Sequence, residues 1–185
     1  MAPMARSSRF VWAVLKNHSL LHEARMLRST LKGMDSVQPR RKVFSNTVIE
    51  AVWFTYIAVM AKALENRAQV ASIWYLLRVD ETTFNRFVKS NQFDTSDLLE
   101  ICEKLKIVRD KSHFHVDRDF NTNDAFREAS IPWSRLEAVV DNLYEYLTHL
   151  RTVDLGLTGL TDHGYSETDA VIATIAIEES GSGAI

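Results

Sequence analysis

The chain has 185 residues, 46% of them hydrophobic, which is enough for one core, and its single cysteine excludes an intrachain disulfide. The formal net charge of −2 excludes a whole-molecule attraction to polyanions. The charge is uneven, however, with nine basic and two acidic side chains in residues 1–45, against six acids and no Lys or Arg in residues 152–185. Opposite solvated faces, or pairing between protomers, explain that split at least as well as a nucleic-acid footprint.

Six Gly and three Pro leave little of the punctuation that a many-stranded sheet needs, and the long segments repeat with helical period, so an all-α protein is expected. The opening "MAPMARSSRFVWAVL" sets two arginines before a short apolar run. No small-residue cleavage site follows, and no secretory leader is expected. The first helix is predicted from about Ser8 to Leu31, with Phe10, Val14, Leu20, Leu21, Leu27 and Leu31 inward. Its Arg25, Arg28 and Lys32 offer charge to RNA or simply a solvated face.

In "TVIEAVWFTYIAVMAKAL", Thr47 and Glu50 have capping-box spacing, and the stripe Val48, Val52, Phe54, Ile57, Met60, Ala61, Leu64 is wide enough to predict a central helix. Glu50 and Lys62 interrupt the run, so no membrane span is expected. "RAQVASIWYLLRVD" and "ETTFNRFVKS" read as two short helices. "TSDLLEICEKLKIV" reads as a longer one, capped by Thr95 or Ser96, with Asp97 in its first turn and Leu98, Leu99, Cys102, Leu105 and Val108 inward. Cys102 is expected to be an inert core thiol in a reducing compartment.

Past the polar "NTNDAFREAS", Pro132 opens another helix that buries Leu136, Val139, Val140, Leu143, Tyr146, Leu147 and Leu150. Residues 151–164 read as a connector. Residues 165–180 read as a last helix, apolar at Ala170, Val171, Ile172, Ile175, Ala176 and Ile177, that packs on its own bundle or across a dimer. Residues 181–185 read as a disordered tail.

The densest chemistry lies in "RDKSHFHVDRD", Arg109 to Asp119. One reading is a helix C-terminus whose cations meet the last carbonyls. A metal reading would use His113, His115 and Asp117, in the H-x-H-x-D spacing that opens binuclear metallohydrolase motifs. Position 118 is Arg where those have His, the surroundings are helical, and of the other histidines only His18 and His22 have ligand spacing, so no metal is expected. A nucleophilic triad through Ser112 or Cys102 lacks an activating environment. A fourth reading pairs Arg109 with His115 for metal-free cleavage of an RNA phosphodiester, which needs a base, a cation and an acid. Six positions turn an ideal helix by about 240°, so that pair needs a loop, an irregular helix or two chains. Arg109 with His113, and His113 with Asp117, have the spacing of structural pairs.

"LKIVRDKSHFHVDRD" resembles the R-x4-6-H signature of HEPN domains. It resembles more closely the "LRDK…AH.D" pattern of their AbiU2-like group, through Arg109, Asp110, Lys111, His115 and Asp117, with Phe114 where that pattern more often has a small residue. The apolar run of residues 47–64 and the short helix after it resemble the same group, so the likeness covers about residues 45–150. The resemblance implies an up-and-down bundle of four or five helices over residues 1–150 that homodimerises, bringing two Arg and His sets into one cleft. It further implies cofactor-free, metal-independent endoribonuclease activity leaving a 2′,3′-cyclic phosphate, as a cytoplasmic toxin or phage-defence effector that an antitoxin protein restrains. His115 would be the acid/base and Arg109 the phosphate clamp. Asp110 would orient one of them, and Lys111 and His113 would contact the substrate. The alternatives are a non-catalytic HEPN bundle binding RNA or a protein partner, and a structural helical adaptor.

Overall fold

A computed structural model of the chain describes residues 7–36, 42–66, 70–112 and 129–156, without the side chains of 35–36, 42–46, 109, 111 and 112. Those residues form an all-helical bundle with no strand among them. Its elements are α1 (Ser8–Ser36), α2 (Lys42–Ala63), α3 (Ile73–Val79), α4 (Glu81–Asn91), α5 (Thr95–Ser112) and α6 (Trp133–His149), which runs into a π-helical turn, Leu150–Asp154.

Four long helices close a ring in which α1 packs on α2, α2 on α5, α5 on α6, and α6 back on α1. The direction of each follows from its cross-helix pairs. His18 meets Thr148 and Lys32 meets Glu137, so α1 and α6 are antiparallel. Asp97 meets Arg135 while Lys104 meets the carbonyl of Ser130, so α5 and α6 are antiparallel too. Asn17 near the start of α1 bonds the carbonyl of Ala71, beyond the end of α2, which sets α1 against α2. The short α3 packs on α1, and α4 packs on α6 through Phe84 and Phe87, whose rings lie 5.2 and 5.3 Å from that of Tyr146.

Local chemistry explains where the helices start. Ser7 Oγ accepts from the Phe10 amide at 3.2 Å and caps α1. Asp94 caps α5, accepting from the Ser96 amide at 2.8 Å and the Ser96 hydroxyl at 2.6 Å, so the expectation of Thr95 or Ser96 shifts to the stronger acceptor just before them. Helix α2 begins at Lys42, five residues ahead of Thr47, which places the expected capping box inside the helix. α1 continues past Leu31 to Ser36, and α3 begins only at Ile73.

The core is dense. Phe10, Val14, Leu21 and Leu31 of α1 are buried with Ile57 and Met60 of α2 and with Leu64 just past its end, and all seven residues expected inward between Leu136 and Leu150 are buried. Leu20, Leu27 and Cys102, also expected inward, are half-buried against the core, and two further expectations fail at the rim. Leu99 is 55% exposed, because Leu98, Ile101, Leu105 and Val108 form the inward stripe and Leu99 lies one position off it. Val48, Val52 and Phe54 are only half-buried, since α2 sits in a ring of four with neighbours on two sides, rather than at the centre. Residues 151–154 continue the helix instead of opening a connector, with the Leu155 amide bonding the Leu150 carbonyl at 3.0 Å. Gly156 then turns the chain at φ +63°. The predicted helix over 165–180 and the tail lie outside the described residues. Among the described residues no helix is long and apolar enough to cross a membrane.

Candidate functional site

Helix α5 carries the first four residues of the charged stretch, Arg109 to Ser112, and it extends one turn beyond the expected end. Val108 is fully buried and anchors that turn in the core, so Arg109, Asp110, Lys111 and Ser112 stay helical. Asp110 is half-buried. Arg109 and Lys111 hold places on the same turn, with their side chains outside the described set; His113, His115 and Asp117 lie outside the described residues altogether. The described part of α5 thus ends three residues short of His115.

The other polar residues singled out from the sequence converge on the α1–α6 seam. Arg28 grips Asp141 with both terminal nitrogens, at 2.9 and 2.8 Å, and Arg25 adds a contact to the same carboxylate at 3.2 Å while its guanidinium lies 4.2 Å above the Tyr144 ring. Lys32 pairs with Glu137 at 2.7 Å. These three cations therefore tie α1 to α6 through carboxylates of α6. Burial alone would lower the Arg28 pKa, but the Asp141 hydrogen bond and charge outweigh it and hold it above its ordinary value. His18 bonds Thr148 at 3.2 Å and lies 4.8 Å from the Tyr144 ring, with His22 6.2 Å from the same ring. Their i, i+4 spacing thus serves packing on one tyrosine, and no cluster of three His, Cys, Asp or Glu suited to a metal occurs among the described residues.

Cys102 borders a cleft of about 340 Å³ between α2 and α5, lined also by Glu65, Asn66 and Lys106. Burial pushes its thiol up to about 12, against a smaller opposing effect from a Trp74 hydrogen bond, so it stays protonated and weakly nucleophilic near neutrality. A second cleft, about 360 Å³, lies between α4 and the end of α6, and Arg86, Glu145, His149 and Asp154 are among the residues that line it. The π turn brings Asp154 onto the side of α6 that carries Glu145 and His149, since its wider winding returns the chain to that side after about five residues.

A further group went unnoticed in the sequence. The Arg9 guanidinium lies 4.8 Å over the Tyr75 ring and the Lys16 ammonium 5.2 Å over the Trp12 ring, on the outer surface of α1 and α3. The signal was the i, i+3, i+7 spacing of Arg9, Trp12 and Lys16, which reads as an ordinary polar helix face until Tyr75 is set beside it. Comparison with protein-family models, with curated proteins and with solved structures finds no match for the chain.

Proposed function

We propose that the chain is a metal-independent endoribonuclease of the HEPN type, AbiU2-like, acting as a cytoplasmic toxin or abortive-infection effector. The observation that carries the reading is the run Arg109, Asp110, Lys111 with His115 four residues on, whose first part occupies the last described turn of α5 in an antiparallel helical bundle. In this reading an imidazole takes the proton of the RNA 2′-OH, and the 2′ oxygen attacks the adjacent phosphorus. The bond to the 5′ oxygen breaks, and a second acid protonates that oxygen to leave a 2′,3′-cyclic phosphate. Arg109 meets the charge that grows on the phosphate oxygens, Asp110 orients Arg109 or His115, and Lys111 and His113 hold the substrate. A homodimer supplies two His115 side chains, one for each proton transfer. An antitoxin protein that covers the cleft would silence it.

The test is cleavage of labelled single-stranded and structured RNA in EDTA, with end-group analysis. Cyclic-phosphate ends are expected, with a rate loss on the order of a hundredfold or more for both Arg109→Ala and His115→Ala. Cutting that survives both substitutions overturns the assignment. RNA binding without cutting, unchanged by either substitution, favours a non-catalytic bundle.

A further inference from the structure

We infer that the outer surface of α1 and α3, built from Arg9, Trp12, Lys16, Tyr75 and Arg78, binds single-stranded nucleic acid. Arg9, Trp12 and Lys16 share one face of α1, and Tyr75 and Arg78 share one face of α3, which packs against it. Trp12 is 53% exposed, while the other three tryptophans, Trp53, Trp74 and Trp133, are packed against the core. Each ring has a cation over it, Arg9 over Tyr75 and Lys16 over Trp12, which sets two pairs of ring and positive charge along neighbouring helices. Among the described residues Arg9 and Lys16 have no acidic partner, and Arg78 makes one side-chain bond, at 3.4 Å to the Asn66 amide oxygen.

An exposed Trp12 ring and the half-buried Tyr75 ring, set beside cations with no acidic partner among the described residues, supply the two parts of a single-strand platform, in which bases stack on π faces and phosphates meet the cations. Among the described residues the patch has only Trp12 and Val79 as strongly exposed large apolar side chains, which is too little for a stable protein interface. It also lacks the broad apolar stripe of a helix that lies in a lipid surface, because Ser8, Ser19 and Glu23 occupy the rest of the outer side of α1. This inference is independent of the α5 signature and concerns a separate surface.

The experiment is anisotropy titration of the full chain with a short fluorescein-labelled oligodeoxyadenylate, which has no 2′-OH and so keeps binding apart from cleavage, together with the matching RNA. Trp12→Ala should weaken binding of both about tenfold, and Trp12→Phe should keep most of it. Arg9→Ala and Lys16→Ala should each lower the slope of log affinity against log salt by about 0.7. Tryptophan emission should be quenched on binding in the parent and much less in Trp12→Phe. Circular dichroism and urea unfolding of the variants establish that the bundle is intact. The inference is overturned if neither oligonucleotide binds, if Trp12→Ala binds as the parent does, or if inorganic polyphosphate competes as well as oligonucleotide. Binding of phosphatidylserine vesicles in place of oligonucleotide would also overturn it, marking the patch as a membrane-surface contact.

Discussion

Tyr56 is fully buried, and its hydroxyl has no hydrogen-bond partner among the described residues. Burial pushes its pKa well above the ordinary phenol value, while Arg28 nearby opposes that rise. Its ring still contributes, lying 5.9 Å from Trp53 and 5.4 Å from Trp133. A buried polar atom left unpaired costs about 1–3 kcal/mol, so Tyr56→Phe should leave stability unchanged or raise it, by at most about 1 kcal/mol in urea unfolding. A loss above that size would show that the hydroxyl has a partner. Arg28 illustrates the opposite case, since its bidentate grip on Asp141 satisfies both partners of a half-buried pair. Nothing in the spacing of Arg25, Arg28 and Lys32 identified that role, because their carboxylates lie more than a hundred residues away on α6.

At the scale of elements, α6 was the most legible helix, its seven inward positions all buried as the period predicts. α5 was legible in its existence and only partly in its facing. Leu98 and Leu99 are adjacent and chemically alike, and only the neighbouring helices select which one enters the core. The contrast gives a direct test: Leu143→Ala should cost about 2–5 kcal/mol, and Leu99→Ala less than about 0.5 kcal/mol, by urea unfolding. Comparable losses at both sites would mean that α5 is turned about its axis. The start of α2 was missed because Thr47 and Glu50 carry the spacing of a capping box, although the helix already runs through them from Lys42. The helical pattern was expected to end at Val108, with a helix C-terminus as one of several readings of the charged residues after it, and the turn bearing Arg109 and Asp110 is the last described turn of α5. It stays helical because Val108 beneath it is in the core.

At the scale of the whole molecule, the α5–α6 contact is held by charge as well as by apolar burial. Arg135 bonds Asp97 and meets Glu100 at 2.6 Å, and Lys104 joins Glu100 at 2.8 Å and the Ser130 carbonyl at 2.9 Å. The Asp94 carboxyl is held below its ordinary value chiefly by the Ser96 hydroxyl and amide, and that of Glu100 chiefly by Lys104 and then Arg135. Groups whose folded pKa is depressed stabilise the fold above the unfolded carboxylate value, and that contribution is lost as pH falls toward the depressed one. The urea midpoint should therefore hold steady down to about pH 5 and decline below about pH 4, with a shallower decline in Asp94→Asn and Glu100→Gln. An equal decline in both variants would assign the acid sensitivity to other carboxylates. The sequence by itself determined the helical character of the described segments, the inward stripe of α6 and the spacing of Arg109, Asp110, Lys111 and His115, since each rests on a pattern within one segment. The tertiary structure decided the closed ring of four antiparallel helices, the pairing of Arg28 with Asp141, the exposure of Leu99 and the joining of Arg9 to Tyr75. Each of those depends on which distant helix lies alongside, and local periodicity carries no information about that choice.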